Sequence, residues 1–442
     1  MPSTQAGHGA VRKTACILGA YGLIGADCAR ALRQAGFTVI GVGRSEAVAQ
    51  RRLPEIEWHI FDLARASAGQ LRDAIAGVDI VVNAAGVLQD GLNDDVIAIH
   101  ETMIARLVAA LDGVPTRIIQ ISAAGVTRDS STEFFRSKAR GDTLLMESPL
   151  DWVVLRPALV LARDAYGGTA LLRAGAAVPL IGLHVFAQSP IQTVSIDDVA
   201  AAVVSAARGE IAAGTVADLT ESESHSFEDV TRSVRSWLGL PVWRASIRIP
   251  DWMVLGAAKV ADALGHLGWR SPLRSTAIAV LSEGIRGDPL AWRNAGGDDC
   301  RSISETLQAM PATSQDRWFA RLYLLLPVIV GVLSSFWFFS GLIGLFRFDA
   351  AAQVLTDRGV STLLATIAVA GGAIVDMILG AAILIRRFAR AAALGMAGVS
   401  LLYVAGGTML AADLWADPLG PLLKVLPSLT LALVAYAILD ER

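Results

Sequence analysis

Three glycines at three-residue intervals carry the first chemical signal. Gly19-Ala-Tyr21-Gly22-Leu23-Ile24-Gly25 follows the short apolar run Cys16-Ile-Leu and precedes a segment, Ala26 to Gln34, with apolar residues at helical spacing. Strand, glycine turn and helix in that order form an anion cradle. Glycine permits the tight turn and the close approach of a ligand to the backbone, while the free N–H groups and dipole at the helix start attract a pyrophosphate. The spacing is GxxGxxG rather than GxGxxG, so the motif draws its weight from the residues downstream of it. Phe37-Thr-Val-Ile-Gly-Val-Gly reads as a second strand ending at Arg44-Ser45, where the adenosine ribose of a dinucleotide would lie. A carboxylate there would hold the 2′-hydroxyl of NAD. Arg44 is matched instead to the 2′-phosphate of NADP, its alternative being a solvated loop arginine. Far downstream, Asp376 stands in an otherwise apolar run; an acid at membrane depth faces a bundle interior, a polar partner or a water path.

The elements that must position these residues divide into two kinds. A chain of 442 residues exceeds one typical domain, and although 53% of it is hydrophobic, nearly all the charge lies before Arg321 and the long apolar runs after it. In the first part, Trp58-His-Ile-Phe precedes Asp62-Leu63, Val78-Asp-Ile-Val-Val precedes Asn83-Ala84-Ala85-Gly86, and Thr116-Arg-Ile-Ile-Gln-Ile precedes Ser122-Ala-Ala-Gly125. Asp151-Trp-Val-Val-Leu leads to Arg156-Pro157, where proline stops the strand. The pattern predicts a Rossmann-like, doubly wound parallel α/β sheet whose strand ends line the ligand crevice, with Asp62 at the adenine edge and Ala84-Ala85-Gly86 letting the cofactor pass closely. Ser195 and Asp197 read as candidate helix caps, and Ser226-Phe-Glu-Asp-Val begins a helix through Trp237.

In the second part, Leu322 to Phe346, Val360 to Ile385 and Ala391 to Ala412 are long enough to cross a hydrocarbon core of about 30 Å, and Val425 to Leu439 forms a shorter last segment. Four spans put both ends on one side. Arg317, Arg321, Arg386, Arg387, Arg390 and Arg442 fall on that side, whereas Arg347, Arg358 and Lys424 on the other are offset by acids, so the positive-inside bias puts the N-terminal domain and the C-terminus in the cytoplasm of a multi-pass inner-membrane protein. Tyr323, Trp337 and Trp415 read as interface anchors. The expected organisation is a dinucleotide-binding domain over 12–310, its substrate lobe mainly 160–310, followed by a four-helix transmembrane bundle over 318–440.

The first part resembles the extended, atypical short-chain dehydrogenase/reductase superfamily, especially its NmrA-like branch and the group related to the NDUFA9-type subunit of respiratory complex I. The resemblance is carried by the glycine turn, Asp62-Leu63, Asn83-Ala-Ala-Gly86, Ile121-Ser122-Ala-Ala-Gly125, Lys138, Arg156-Pro157 and Val194-Ser-Ile-Asp-Asp-Val-Ala200. It implies cofactor contacts from Leu63, Asn83, Lys138 and Pro157 besides those above. In active members a Ser polarises the substrate carbonyl, a Tyr transfers the proton, and a Lys four residues later binds the nicotinamide ribose. Ser122 and Lys138 match the first and third roles, but the tyrosine position is Phe134, in Phe134-Phe-Arg-Ser-Lys138. Four-residue spacing keeps Phe134 and Lys138 on one helix face, while the loss of a positioned acid/base typically costs 10²–10⁴-fold in rate. Ser122, Thr127 or Tyr166 could in principle supply a hydroxyl, though nothing in the sequence places one over the nicotinamide, and Ser122 could equally be a strand-end hydroxyl bonded to backbone. The second part resembles the DoxX-like membrane proteins, most specifically in Trp415-Ala-Asp-Pro-Leu-Gly-Pro-Leu-Leu-Lys424, and this implies a quinone-linked redox setting.

Several classes drop out. A net charge of −3 without a Lys/Arg block argues against nucleic acid. The three cysteines, Cys16, Cys28 and Cys300, form no CxxC, and the histidines His8, His59, His100, His184, His225 and His266 lack metal-ligand spacing, so no metal site is expected. The first apolar run is too short for a signal-peptide core. There remains a membrane-anchored NADP(H)-binding protein, either an oxidoreductase for a lipophilic or quinone-type substrate or a non-catalytic redox sensor or assembly partner of a membrane complex. Its partners would be the bilayer and a quinone or membrane redox protein; the oligomeric state is open.

Overall fold

The computed structural model describes residues 12–91, 94–269 and 271–439; His8 and Arg442, named above, lie outside them. The chain divides into two units. One comprises the residues up to Asp262 together with Pro272–Ala320, and the other comprises Ala263–Ser271 and the residues from Arg321.

In the first unit, β1 (Thr14–Leu18), β2 (Thr38–Gly43), β3 (Glu57–Ile60), β4 (Ile80–Asn83), β5 (Arg117–Ile121), β6 (Asp151–Pro157) and the strand Thr215–Leu219 form one sheet. Its order runs Thr215–Leu219, β6, β5, β4, β1, β2, β3, and every pairing is parallel. The order reverses direction beside β1, and a doubly wound sheet binds ligands at such a switch point, outside the carboxyl ends of the strands. The central strands β1, β4 and β5 are buried on both faces, as parallel sheets require, while β3 is an exposed edge. Alternate residues of β1 serve opposite layers: Ala15 and Ile17 pack with Cys28, Leu32 and Val203, whereas Cys16 and Leu18 pack with Leu71, Met103 and Leu107. Burial pushes the Cys16 and Cys28 thiols up to about 12, so both behave as small core hydrophobes.

The helices that matter to the site are α1 (Leu23–Gln34), α2 (Glu46–Arg52), α3 (Ala68–Ala74), α4 (Met103–Ala110) and α5 (Glu133–Met146). A π-helical turn, Ala98–Thr102, leads into α4. Gly141 of α5 lies against it so closely that a Cβ would fall 1.9 Å from the His100 carbonyl oxygen. Ser195 caps the helix Ile196–Arg208 by accepting from the Asp197 amide; Asp197 itself is in the first turn and pairs with Arg301, so of the two cap candidates only Ser195 serves.

In the second unit, Ser314–Phe346 continues from the first, and Thr362–Ala382, Arg386–Leu410 and the shorter Val425–Leu439 follow. The three long helices are long and apolar enough to cross a membrane. Small residues set the packing, as expected where lipid supplies no hydrophobic drive between helices. A Cβ on Gly341 would fall 2.4 Å from the Ala373 carbonyl oxygen, one on Gly380 would fall 2.6 Å from the Phe338 amide, and Ser334 donates to the Gly380 carbonyl at 2.7 Å. Trp337 is no interface anchor. It is buried in the bundle with Leu333, Met396 and Ala432, and its indole donates to Ser428 Oγ at 3.3 Å.

The turn between β1 and α1 gives a direct test of the first unit. A Cβ on Gly25 would sit 2.3 Å from the Gly19 carbonyl oxygen, a backbone atom that cannot yield. Gly25→Ala is expected to cost roughly 1–3 kcal/mol of stability, as overpacking does, and to lower the thermal midpoint of the detergent-solubilised protein. Gly168→Ala, with open space at its Cβ, leaves the midpoint in place.

Candidate functional site

The cradle is built from backbone. Gly19 takes φ +77°, and its amide and that of Ala20 donate to the Val42 carbonyl, which fixes the turn to the end of β2. A Cβ on Gly19 would meet Ala85 at 3.0 Å, so the chain after β4 passes directly beside the glycine turn. Gly22 precedes α1 and offers no side-chain acceptor to the first amides of that helix, the arrangement that receives a phosphate. Tyr21 folds over Gly43, where a Cβ would lie 2.3 Å from its ring, and its hydroxyl accepts from the Arg44 amide at 3.1 Å. Leu23 and Ile24 lie in the first turn of α1, with Ile24 against the core. The residues present fit a dinucleotide: glycines where a side chain would collide, and uncapped amides where a pyrophosphate would sit.

At the end of β2, the Arg44 guanidinium lies 2.9 Å from Asp94 Oδ1, a pairing across fifty residues that no local pattern announces. Asp62 follows β3 and accepts from the Ala64 amide at 3.1 Å, while Leu63 is buried in the core. Asn83 is buried with both ends of its amide used: it donates to Gln120 Oε1 at 2.7 Å and accepts from the Ala85 amide. It therefore shapes the loop Ala84-Ala85-Gly86 from within the protein.

At the other end of the crevice, Lys138 is buried and its ammonium donates to the Ile121 carbonyl at 3.2 Å, beside Gly86. Burial, partly opposed by Asp142, brings its pKa down to about 8. His100 stands next to it. The Val87 amide donates to His100 Nε2 at 3.2 Å, which leaves the ring proton on Nδ1, 2.9 Å from Ser137 Oγ; that hydroxyl donates in turn to the Phe134 carbonyl. Burial and then the Lys138 charge hold the imidazole pKa down to about 2, so it is neutral throughout the physiological range. The Phe134 ring packs edge-on against His100 at 5.5 Å, with the Lys138 ammonium 5.7 Å from its centre.

Ser122 is also buried, and its hydroxyl donates to Asp142 Oδ2 at 2.7 Å. The same oxygen accepts from Arg156 at 3.0 Å. Burial raises the Asp142 pKa, while Ser122, Arg156 and Lys138 oppose the rise. With its proton directed at a carboxylate, Ser122 is not posed in this arrangement to polarise a carbonyl. Of the other hydroxyls, Thr127 is bonded to Ser130 and Tyr166 is exposed ahead of the helix Gly167–Ala176. Arg156 ends up in the site through this bond, and Pro157 is the last residue of β6.

Comparison with known proteins agrees with this geometry. Residues 19–210 match the NAD(P)H-binding family, and residues 334–433 match the DoxX-like family. The chain carries an NAD(P)-binding domain and a DoxX-like domain. No curated protein matches it. Among solved structures, the first domain is similar to the Bordetella bronchiseptica enzyme WbmG in complex with NAD, at 16% identity and a TM-score of 0.54 over 71% of this chain and 97% of that one. It is similar also to an NADPH-dependent quinone oxidoreductase of Escherichia coli complexed with NADPH, at 16% identity and a TM-score of 0.52 over 67% and 99%. A nucleoside-diphosphate-sugar epimerase of Pseudomonas aeruginosa gives 19% identity and a TM-score of 0.51 over 67% and 96%. These likenesses establish the fold of the NAD(P)-binding domain. The apolar helices and the DoxX-like domain associate the chain with a lipid bilayer.

Within the DoxX-like domain, Asp376 is buried and accepts from the Tyr403 hydroxyl at 2.9 Å, with Gly372 making room for that hydroxyl. Among the described residues, no group of three or more His, Cys, Asp or Glu is gathered as metal ligands would be. The participants that sequence reasoning missed are His100, Ser137, Asp142 and Asp94. For Asp142 a signal existed: it follows Phe134 and Lys138 at the same four-residue step. His100 and Asp94 have no such marker. Asp142→Ala leaves Arg156 and Ser122 facing an emptied buried site and is expected to cost about 3 kcal/mol, read as a lowered unfolding midpoint; Asp142→Asn, which keeps an acceptor, costs less.

Proposed function

We propose that the protein is a membrane-anchored NADP(H)-dependent oxidoreductase acting on a lipophilic or quinone-type substrate, with the DoxX-like helices spanning the inner membrane four times and the NAD(P)-binding domain on the cytoplasmic side. The observation that carries this reading is the pairing of an intact dinucleotide cradle with a nicotinamide end that keeps Lys138 and lacks a proton-donating hydroxyl on Phe134. Bound NADP(H) would supply a hydride. The chain's own part is to bind and orient: the α1 amides and glycines take the pyrophosphate, Arg44 exchanges Asp94 for the 2′-phosphate, and Lys138 holds the nicotinamide ribose. A quinone accepts a hydride without protonation of a carbonyl by the enzyme, and water provides the proton that completes the quinol. Membrane attachment raises the effective concentration of the enzyme at a lipid-dissolved acceptor.

A second reading, a non-catalytic NADP-dependent sensor or assembly partner, is favoured by the commitment of Ser122 to Asp142. The two readings part on turnover. The full-length protein in lipid is expected to oxidise NADPH when given a quinone. A folded preparation that binds NADPH and oxidises none across a broad quinone and carbonyl panel would sink the enzyme reading in favour of the sensor. Phe134→Tyr restores a hydroxyl beside His100 and Lys138, and a gain of carbonyl reduction would mark a lapsed short-chain-reductase site.

Cofactor choice has a separate test. Charge-assisted hydrogen bonds are worth about 1.5–3 kcal/mol, so Arg44→Glu should weaken NADPH binding by roughly 10- to 100-fold and NADH binding far less. Equal losses would remove the 2′-phosphate assignment. Because the Lys138 ammonium loses its proton near pH 8, affinity for the dinucleotide is expected to fall as pH rises through that value. The Lys138→Met protein binds weakly and shows no such step, and a step that persists would assign it to another group.

A further inference from the structure

The helix Asp251–His266 does not behave as the outer helix of a water-soluble domain. Val254, Ala258 and Ala261 face inward, yet large apolar side chains also point outward: Trp252 is 73% exposed, Val260 62%, Leu255 51% and Met253 47%. Leu264 is exposed as well, and the preceding strand Ala245–Arg248 adds exposed Ile247. Single exposed hydrophobics are ordinary, but five large ones along one helix form a patch of the kind that covers a partner or enters a membrane.

We propose that this helix is a membrane-surface helix, its outward apolar side chains inserted at the headgroup–acyl boundary of the bilayer that the DoxX-like helices occupy. Chain continuity selects the occupant. The last turn of the helix and the residues after it, Ala263–Ser271, belong to the membrane unit. There the Leu267 carbonyl accepts from the Arg386 amide at 3.0 Å, and the Trp269 indole donates to the Leu384 carbonyl at 2.6 Å with the Arg386 guanidinium over its ring. These partners form the turn between the apolar helices Thr362–Ala382 and Arg386–Leu410, the level at which a run of three arginines, Arg386, Arg387 and Arg390, replaces apolar sequence. A helix whose end is bonded at that level and whose outer side is apolar meets the interface there. Its charges fit an anionic surface. Arg244, Arg248 and Lys259 are exposed and take part in no ion pair among the described residues, against one such acid, Asp251, while Asp262 is taken up by Arg274 and Ser275, which leaves the face net basic. Long basic arms beside an apolar face reach lipid phosphates while their stems stay in the apolar layer. The inference rests on membrane insertion of the C-terminal helices and is independent of any redox activity.

The test uses the full-length protein in vesicles of phosphatidylcholine and phosphatidylglycerol. Spin labels are placed by Trp252→Cys, Leu255→Cys and Val260→Cys in a Cys300→Ser background, with Arg232→Cys on the exposed surface of helix Phe227–Trp237 as the aqueous control. Collisions with dissolved oxygen are expected to exceed those with a water-soluble nickel complex several-fold more at 252, 255 and 260 than at 232. Equal, water-like ratios at all four positions would overturn the proposal. Shielding of the three positions from both agents would overturn it too, with spin–spin broadening then identifying a second copy as the cover. Retained dinucleotide binding reports that each labelled protein is folded. Quenching of native tryptophan fluorescence by brominated lipid, greater in the unlabelled protein than in Trp252→Phe, tests the same insertion without a label; no difference would count against it.

Discussion

The buried carboxylate of Asp142 is the constraint around which the candidate site at the ends of β5 and β6 is arranged. It joins α5 to the end of β5 through Ser122 and to β6 through Arg156, fixing a helix against two strands at the edge of the crevice. A charge in that position is costly unless donors surround it, and removing any one of them leaves the others to bear the desolvation. The consequence propagates along the helix. With Asp142 anchored, Lys138 one turn earlier is held beneath the Ile121 carbonyl, and Phe134 two turns earlier lies against His100. The cationic neighbours also explain why the site tolerates the acid and the base together: Asp142 raises the proton affinity of Lys138, and Lys138 lowers that of Asp142, each opposing the larger effect of burial.

Legibility in the sequence depends on how local a signal is. The strands β1 to β6 and the turn at Gly19, Gly22 and Gly25 were legible because apolar runs, glycine spacing and the order strand–turn–helix are properties of short stretches. Lys138 was singled out by the family resemblance, and its four-residue spacing from Phe134 placed both on one helix. The bonds that close the site are of another kind. Ser122 with Asp142, Arg44 with Asp94, and His100 with Ser137 join residues separated by 20 to 50 positions, and their side chains carry no pattern until the sheet brings them together. Ser122 shows the limit most directly. Its place after β5 is legible, but the direction of its hydroxyl depends on a carboxylate that sequence does not place beside it.

The membrane unit reveals the same division. Apolar length marked its helices, yet which residues turn inward is decided by packing. Gly341 and Gly380 allow backbone to approach backbone, and this close contact draws Trp337 into the interior, where Ser428 satisfies its indole. An aromatic residue in an apolar helix is thus read as an interface anchor only when no polar partner waits inside. Asp376 obeys the complementary rule. An acid in such a helix requires a donor from the bundle, and Tyr403 provides it because Gly372 leaves space for the hydroxyl.

Phe134 bears most directly on what the site does. A side chain without a hydroxyl could have stood apart from the polar groups around it. Instead the ring is integrated: its edge meets a neutral imidazole, its carbonyl accepts from Ser137, and its face lies toward the Lys138 ammonium. The imidazole is kept neutral by burial and by that same ammonium, so the two nitrogen groups next to Phe134 do not compete as cations. None of these interactions needs a tyrosine oxygen. The helix face that carries Lys138 is therefore packed and satisfied without an ionisable hydroxyl at position 134. On the function proposed above, a reaction that asks only for orientation of the dinucleotide and access to an acceptor suits such a site, whereas one that relies on proton transfer by residue 134 does not.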